Sequence, residues 1–319
     1  MSWTLSVGSA KLDQRKDSCY IMISELPKVR GRYTVNESLS NYVWFKVGGP
    51  ADVIFKPADL DDLVFFLKHT SPELDIFTLG LGSNVLIRDG GMNGVVIRLG
   101  RGFTECRIEN DMIITGAGAL DRNVALTAAD AGLAGLEFLA SIPGTIGGAL
   151  KMNAGCYDGE VKDVLVWAKA LDMQGNLKTY SVEELKYTYR HCGLDEPVIF
   201  VEACFKAKER LPSTVIHDKI NDFLARREAS QPIRSKTGGS TFKNPEGVKA
   251  WELVDKVGGR GLKIGDAQFS EKHCNFLINT NNATAADIEA LGELVRSKVL
   301  QECGVDLHWE IMRIGKPAQ

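Results

Sequence analysis

The cysteines and histidines of this chain lack the spacings that hold disulfides or metals. Seven cysteines occur in 319 residues, an odd number, and no two of them form a C-x-x-C pair. The five histidines show no metal-ligand spacing either. We therefore expect free thiols, a reducing compartment and no bound metal.

Long apolar runs and an excess of positive charge are also lacking. No stretch reaches transmembrane length, the first residues show no basic region followed by an apolar one, and the formal net charge is −3. Such a chain has no overall attraction for nucleic acid or anionic membranes. These absences predict a cytoplasmic protein without nucleic-acid or membrane partners, and the sequence gives no sign of an obligatory protein partner.

Hydrophobic periodicity divides the chain into three parts. Residues 1–35 are weakly patterned and are predicted to form an N-terminal extension. Residues 36–212 begin with alternating strand and helix patterns and continue, after a break near residue 102, with a region where strand patterns dominate. Beyond a linker-like sequence, residues 213–319 are predicted to form a C-terminal α/β domain. Within it, Thr284-x-x-Asp287 predicts the start of a helix.

One segment carries the residue types of a reactive loop. It reads Gly238-Gly239-Ser240-Thr241-Phe242-Lys243-Asn244-Pro245. The glycines allow positive φ and close approach of another group, and the lone serine hydroxyl is followed by a cation and an amide. This order predicts a proton donor on a rigid loop, beside groups that hold an anionic ligand. A plain glycine turn between two strands is the alternative.

Three glycine-rich stretches favour a cofactor that carries a diphosphate over three unrelated turns. They lie at 80–84, 116–119 and 142–148. Backbone N–H groups in such loops converge on phosphate oxygens, and Ser83 and Asn84 add side-chain donors. The first stretch lacks the third glycine of a dinucleotide-binding fingerprint and the Gly-Lys-Ser/Thr of a Walker A loop.

Several motifs follow one another in an order that identifies a family. They are Phe45-Lys46-Val47-Gly48-Gly49-Pro50-Ala51-Asp52, Leu79-Gly80-Leu81-Gly82-Ser83-Asn84-Val85-Leu86, Ile142-Pro143-Gly144-Thr145-Ile146-Gly147-Gly148, Asn153-Ala154-Gly155, Tyr189-Arg190, the serine segment at 239–245 and Trp309-Glu310. Together they cover about residues 40–315. In this order they resemble the motifs of the UDP-N-acetylenolpyruvoylglucosamine reductase family.

The resemblance implies an α+β fold, with a two-part FAD-binding domain of the vanillyl-alcohol-oxidase (PCMH) type followed by a C-terminal α/β substrate-binding domain. It implies non-covalent FAD, with NADPH as the reductant. The implied reaction reduces the enolpyruvyl ether of UDP-N-acetylglucosamine to the lactyl ether of UDP-N-acetylmuramate, in peptidoglycan precursor synthesis. The chain resembles the short form of the family, because residues 246–264 hold no tyrosine where the long form has a tyrosine-bearing insertion.

The resemblance also assigns roles to positions that match the family motifs. Ser240 is implied to protonate the substrate carbon next to the carboxylate, Arg190 to bind that carboxylate, and a protonated Glu310 to stabilise the enolate. The implied substrate contacts are Tyr189, Lys243 and Asn244, with His273 and Asn275 as secondary candidates. The implied FAD contacts are Lys46, Gly48, Gly49, Gly80, Leu81, Gly82, Ser83, Asn84, Gly116, Ala117, Ile142, Pro143, Gly144, Thr145, Gly147 and Gly148.

Two alternatives stay open at this point. A flavin oxidase or dehydrogenase with another substrate would use the loops at 80–84 and 142–148 equally well. A non-catalytic regulator that binds UDP-sugars is the second alternative. Ser240, Arg190 and Glu310 argue against both, because neither an alcohol oxidase nor a binding protein needs to protonate a carbanion.

Overall fold

The structure of the protein is a computed structural model that describes residues 24–318. Its α-helices in this range are Leu60–His69, Asp121–Asp130, Ile146–Met152, Ser213–Ser230, Ala250–Lys256 and Ala285–Cys303. None of the helices in the described range is both long and apolar enough to cross a membrane. Most of the predicted N-terminal extension lies outside the described residues, and its last part enters the first strand, Arg32–Ser38.

The first part of the fold is a four-stranded sheet with one helix on its face. Its strands lie in the order Arg32–Ser38, Pro50–Lys56, Met92–Ile97 and Ile76–Thr78. The first pair is antiparallel and the other two pairs are parallel. The helix Leu60–His69 begins at Asp59, whose side chain accepts a hydrogen bond from the Asp62 amide, and it buries Leu63 and Phe66 against the sheet. The predicted strand–helix–strand order is confirmed.

The second part is a five-stranded antiparallel sheet. Its strands lie in the order Leu177–Ser181, Leu165–Asp172, Val198–Lys206, Met112–Gly116 and Cys106–Glu109. The helix Ser213–Ser230 buries Ile216 and Ile220 in the core of this part, although the sequence places it in the C-terminal domain. The apolar face of a helix determines the core against which it packs, and a linker-like sequence before the helix does not indicate which core that is. The division at 212/213 stays a prediction.

The C-terminal part holds a four-stranded antiparallel sheet in the order Lys236–Ser240, Phe276–Asn279, Ala267–Phe269 and Lys263–Ile264. One face packs on the helices Ala250–Lys256 and Ala285–Cys303. Thr284 caps the second helix in a reciprocal capping box with Asp287, as predicted. The last strand, Met312–Ile314, leaves this sheet and pairs in parallel with Val85–Ile87 of the first part. That pairing brings the C-terminal segment beside the loop at 80–84.

The remaining strands are short. They are Leu133–Ala134 with Glu209–Arg210, and Gly155–Cys156 with Gly159–Glu160. The second pair follows the predicted glycine stretch at 142–148, whose latter half is the start of the helix Ile146–Met152 rather than a loop. Gly147 lies close enough to Ala117 that a Cβ there would meet the Ala117 carbonyl at 3.2 Å. The glycine therefore permits close backbone packing within a helix.

Candidate active site

The three glycine-rich stretches converge on one cavity of about 370 Å³. The Gly147 amide donates to the Ala117 carbonyl at 2.8 Å, and a Cβ added at Gly80 would lie 2.7 Å from the Thr145 hydroxyl. These contacts hold the loops against one another. The predicted cofactor residues in its lining are Gly80, Leu81, Gly82, Ser83, Asn84, Ala117, Ile142, Gly144, Thr145, Gly147 and Gly148.

The other predicted cofactor residues, Lys46, Gly48, Gly49, Gly116 and Pro143, lie outside the cavity lining in the described part of the chain. Gly48 has φ +118° and packs on the Ile87 side chain, and the Gly49 amide donates to Arg88. Lys46 is exposed and also has positive φ, 58°. This segment supports the first loop from behind, since the Trp44 amide donates to the Gly82 carbonyl at 3.1 Å. Direct contact of these residues with the cofactor stays a prediction.

Arg190 is held on a strained turn beside this cavity. Thr188 and His191 exchange backbone hydrogen bonds across the turn, and Arg190 itself has φ 53°, which is uncommon for a long side chain. Its guanidinium donates to the Gly155 carbonyl and lies 4.9 Å from the ring centre of Tyr189. The turn is thus fixed by contacts that point the guanidinium inward.

Asn153 connects the segments around Arg190. It ends the helix Ile146–Met152 in a left-handed conformation, with φ 44°. Its side-chain nitrogen donates to Glu160 at 2.7 Å and to the Thr188 carbonyl at 3.1 Å, while its oxygen accepts from the Lys162 amide at 3.0 Å. The side chain is completely buried. The sequence shows the Asn-Ala-Gly motif but not this positioning role.

Ser240 ends a strand whose continuation is held from both sides. On one side, the Asn275 side chain accepts from the Phe242 amide at 3.0 Å and donates to the Phe242 carbonyl at 2.9 Å. On the other side, the Glu310 amide donates to the Thr241 carbonyl at 2.8 Å. Gly239 has φ 82° within this strand, at an irregularity in its pairing with Phe276–Asn279, so the bulge before the serine favours glycine. The predicted loop is therefore only partly a loop, because Gly238, Gly239 and Ser240 belong to the strand. Ser240 lies one residue from the backbone contact with Glu310, and its role as proton donor stays a prediction.

Glu310 lies against Arg190, the cation that the family resemblance places in the same site. The Nε atom of Arg190 is 3.6 Å from its Oε1, and the two side chains are 16% and 14% exposed. Burial raises the pKa of Glu310 above its ordinary value, although the charges of Arg190 and Lys243 pull that pKa down. The backbone carbonyl of Glu310 accepts from Asn84 at 3.1 Å. This bond fastens the cavity loop to the acidic residue.

The predicted substrate residues divide into two groups. Tyr189 and Lys243 lie near the Arg190–Glu310 pair. Tyr189 is exposed and lies beside Arg190, and Lys243 is close enough to Glu310 to lower its pKa. The side-chain oxygen of Asn244 instead accepts from the Ala250 amide at 3.0 Å, at the start of the helix Ala250–Lys256. Burial lowers the pKa of His273, which favours the neutral ring. The substrate roles of these residues stay predictions.

Two cavity residues that the sequence does not single out have buried polar atoms without partners. Among the described residues, the Nε of Arg98 and both carboxyl oxygens of Asp121 have no hydrogen-bond partner. Both side chains belong to residues that line the cavity, and burial raises the pKa of Asp121 well above its ordinary value. A ligand with phosphate, hydroxyl and ring N–H groups fits such a lining. No group of metal-ligating side chains occurs in residues 24–318.

Comparison with known proteins gives consistent matches over nearly the whole chain. A family model described as "UDP-N-acetylenolpyruvoylglucosamine reductase, C-terminal domain" matches residues 231–314, and one described as "FAD binding domain" matches residues 51–181. The chain is 55% identical over 294 residues to the UDP-N-acetylenolpyruvoylglucosamine reductase of Bradyrhizobium sp. strain ORS 278, which covers 92% of this chain and 95% of the relative. The enzyme of the same name from Gluconobacter oxydans is 53% identical, over 91% of this chain and 95% of the relative.

A solved structure agrees with these matches. The crystal structure of UDP-N-acetylenolpyruvylglucosamine reductase from Thermus caldophilus superposes with a TM-score of 0.78 at 34% identity, over 90% of this chain and 100% of that one. The predicted fold, an FAD-binding domain followed by a C-terminal domain, is confirmed, as is the expected FAD cofactor. The protein is therefore an FAD-dependent oxidoreductase. By sequence and by structure, the chain belongs to the UDP-N-acetylenolpyruvoylglucosamine reductase family.

Proposed function

We propose that this protein reduces UDP-N-acetyl-3-O-(1-carboxyvinyl)-glucosamine to UDP-N-acetylmuramate, with NADPH as the reductant and FAD bound non-covalently in the cavity. The name shared by its relatives supports the substrate. The observation that carries the proposal is the Arg190–Glu310 pair, which lies beside Ser240 and is fastened to the cavity loop through Asn84. An enolpyruvyl ether needs such a set, because its carboxylate must be bound while the neighbouring carbon receives a proton.

The residues of the chain would bind the substrate and stabilise the negative charge that develops on it. When bound, FAD carries reducing equivalents from NADPH to the double bond of the substrate. Reduction at the methylene carbon places negative charge on the neighbouring carbon and its carboxylate. Arg190 binds that carboxylate through a charge-assisted pair in a largely enclosed site. Glu310, favoured in its protonated form, donates a hydrogen bond instead of repelling the developing charge.

Ser240 would complete the reaction by giving its hydroxyl proton to the carbon next to the carboxylate. The side chain is half-buried, and its hydroxyl makes no hydrogen bond to any residue in the described range. It is therefore available to a substrate. The hydroxyl is reprotonated from solvent after turnover. We place the reaction in the cytoplasm, in keeping with the six free cysteines of the described range, and without a protein partner.

Steady-state turnover with a matched substrate pair tests this proposal. The purified protein is mixed with NADPH and the enolpyruvyl UDP-sugar, and NADPH oxidation is followed together with the mass of the sugar product. We expect oxidation of one NADPH for each sugar that gains two hydrogens. UDP-N-acetylglucosamine, which lacks the enolpyruvyl group, is the control and supports no oxidation above background. NADPH oxidation that does not depend on the enolpyruvyl group contradicts the proposal and favours a flavin oxidase with another substrate.

A further inference from the structure

Arg98 is a half-buried cation without an acidic partner in the described part of the chain. Its Nε atom is buried and has no acceptor, and one terminal nitrogen makes only a long contact, 3.4 Å, to the Gly80 carbonyl. The guanidinium carbon lies 4.5 Å from the ring centre of Tyr42. Burial lowers the pKa of Arg98, and no carboxylate counteracts that effect. An arginine nevertheless keeps its charge at neutral pH.

A half-buried positive charge without a counter-charge favours the binding of an anion. Removing a charge from water is unfavourable unless a partner of opposite sign and hydrogen-bonding groups replace the water. The Tyr42 ring supplies a face for the guanidinium but no acceptor for its N–H groups. The missing partner must therefore come from outside the described chain.

The sheet places Arg98 at the same edge as the first glycine loop. The strands Ile76–Thr78 and Met92–Ile97 run in parallel, and the Leu79 amide donates to the Ile97 carbonyl at 2.9 Å. Arg98 and the loop at 80–84 thus leave the sheet together, and both line the cavity. The other cation in that lining, Lys151, is exposed. Arg98 is thus the half-buried cation in the cavity lining, and it lies next to the backbone of this loop.

We propose that Arg98 binds the diphosphate of FAD, an inference that rests on the proposed flavin chemistry of this site. A guanidinium presents several N–H groups in a fixed plane and pairs with phosphate oxygens in bidentate fashion. The diphosphate supplies the acceptor that Nε lacks and the negative charge that compensates the buried cation. The loop at 80–84 adds backbone donors to the same group.

The dissociation of FAD from full-length holoprotein tests this inference. Flavin fluorescence is followed on serial dilution, at about 50 mM and about 500 mM salt, for the native protein, Arg98→Met and Arg98→Lys. Arg101→Met is the matched control, because Arg101 is an exposed arginine three positions further on. We expect Arg98→Met to raise the dissociation constant of FAD about tenfold to a hundredfold and to weaken its dependence on salt. The dissociation constant of Arg98→Lys should lie between those of the native protein and Arg98→Met, and that of Arg101→Met should match the native value.

Several results would overturn the inference. Thermal melting accompanies each titration and shows whether each variant is folded. If Arg98→Met is unfolded, Arg98→Lys carries the test, and a native dissociation constant of FAD in that variant overturns the inference. Unchanged FAD dissociation in a folded Arg98 variant excludes the diphosphate role. A weaker complex with native salt dependence assigns Arg98 to packing against Tyr42 instead. Failure of the proposed function shows differently, as a native protein that contains flavin but does not turn over the enolpyruvyl sugar.

Discussion

The Nε atom of Arg190 lies 3.6 Å from the Oε1 atom of Glu310, although the two residues are far apart in the sequence. Arg190 belongs to the second part, whereas Glu310 lies where the C-terminal segment returns to the first part. The pair therefore forms only when all three parts are assembled. This relationship places a cation and a protonatable acid at one point beside the cavity.

Replacing Ser240 with alanine should separate the two half-reactions. The change removes the proposed proton donor without disturbing the Asn275 and Glu310 contacts that hold the following residues. We expect flavin reduction by NADPH to stay near the native rate and reoxidation by the enolpyruvyl sugar to slow by about 10² to 10⁴. Stopped-flow absorbance measures each step. Equal slowing of both steps would make Ser240 a structural residue.

Replacing Arg190 with methionine should remove the carboxylate-binding cation. Truncating one member of a shielded charge pair typically lowers affinity strongly, so kcat/KM for the enolpyruvyl sugar should fall on the order of a hundredfold or more. Arg190→Lys should recover part of this loss, because it keeps the charge but not the planar fork. Steady-state kinetics gives both constants. Native kcat/KM in a folded Arg190→Met protein contradicts the assignment.

The pH dependence of flavin reoxidation should report Glu310. Its folded pKa is raised, so the protonated form persists above the usual range and is lost as pH rises through that pKa. We expect reoxidation by substrate to slow on that alkaline side in the native protein. In Glu310→Gln, which cannot ionise, this fall should disappear. Glu302→Gln, at an exposed helix position, is the control and should keep the native profile. A native pH profile in Glu310→Gln would remove Glu310 from the mechanism.

Asn153→Ala should loosen the turn that carries Arg190. The buried amide holds the Thr188 carbonyl, so its loss leaves polar groups unpaired. As a positioning residue, it should raise KM for the enolpyruvyl sugar more than it changes NADPH-driven flavin reduction. Asn282→Ala, an exposed asparagine, serves as the control. A uniform loss in both half-reactions, together with a lower melting temperature, would indicate a general effect on folding.

Asp121 should make the protein less stable as pH rises. Burial raises its folded pKa well above the unfolded value, so the stability it contributes is complete below the unfolded pKa and is lost as pH rises through the folded one. Asp121→Asn should therefore gain melting temperature relative to the native protein at pH 8 and little at pH 4. The exposed Asp218→Asn is the matched control. An equal difference between Asp121→Asn and the native protein at both pH values would contradict this account.

The sequence predicts the order of the fold because its signals are local, whereas the roles of Ser240, Arg190 and Glu310 rest on the resemblance to family motifs and stay predictions. Glycine motifs, a capping box at Thr284 and strand patterns each depend on neighbouring residues. The partners of Arg98, Asp121 and Asn153 depend on contacts between distant segments, which a single sequence does not display. The helix Ser213–Ser230 shows the same limit, since its apolar spacing predicts a helix but not the core in which Ile216 and Ile220 are buried.

The visible absorption spectrum of the purified protein, recorded without oxygen, shows whether electrons pass from NADPH through a bound flavin to the enolpyruvyl sugar. We expect a flavin spectrum that bleaches on addition of NADPH and returns in proportion to the enolpyruvyl sugar added afterwards. We also expect that acid precipitation releases the flavin into solution. A protein that takes up no FAD, or whose bleached flavin is not reoxidised by the enolpyruvyl sugar, would contradict the account.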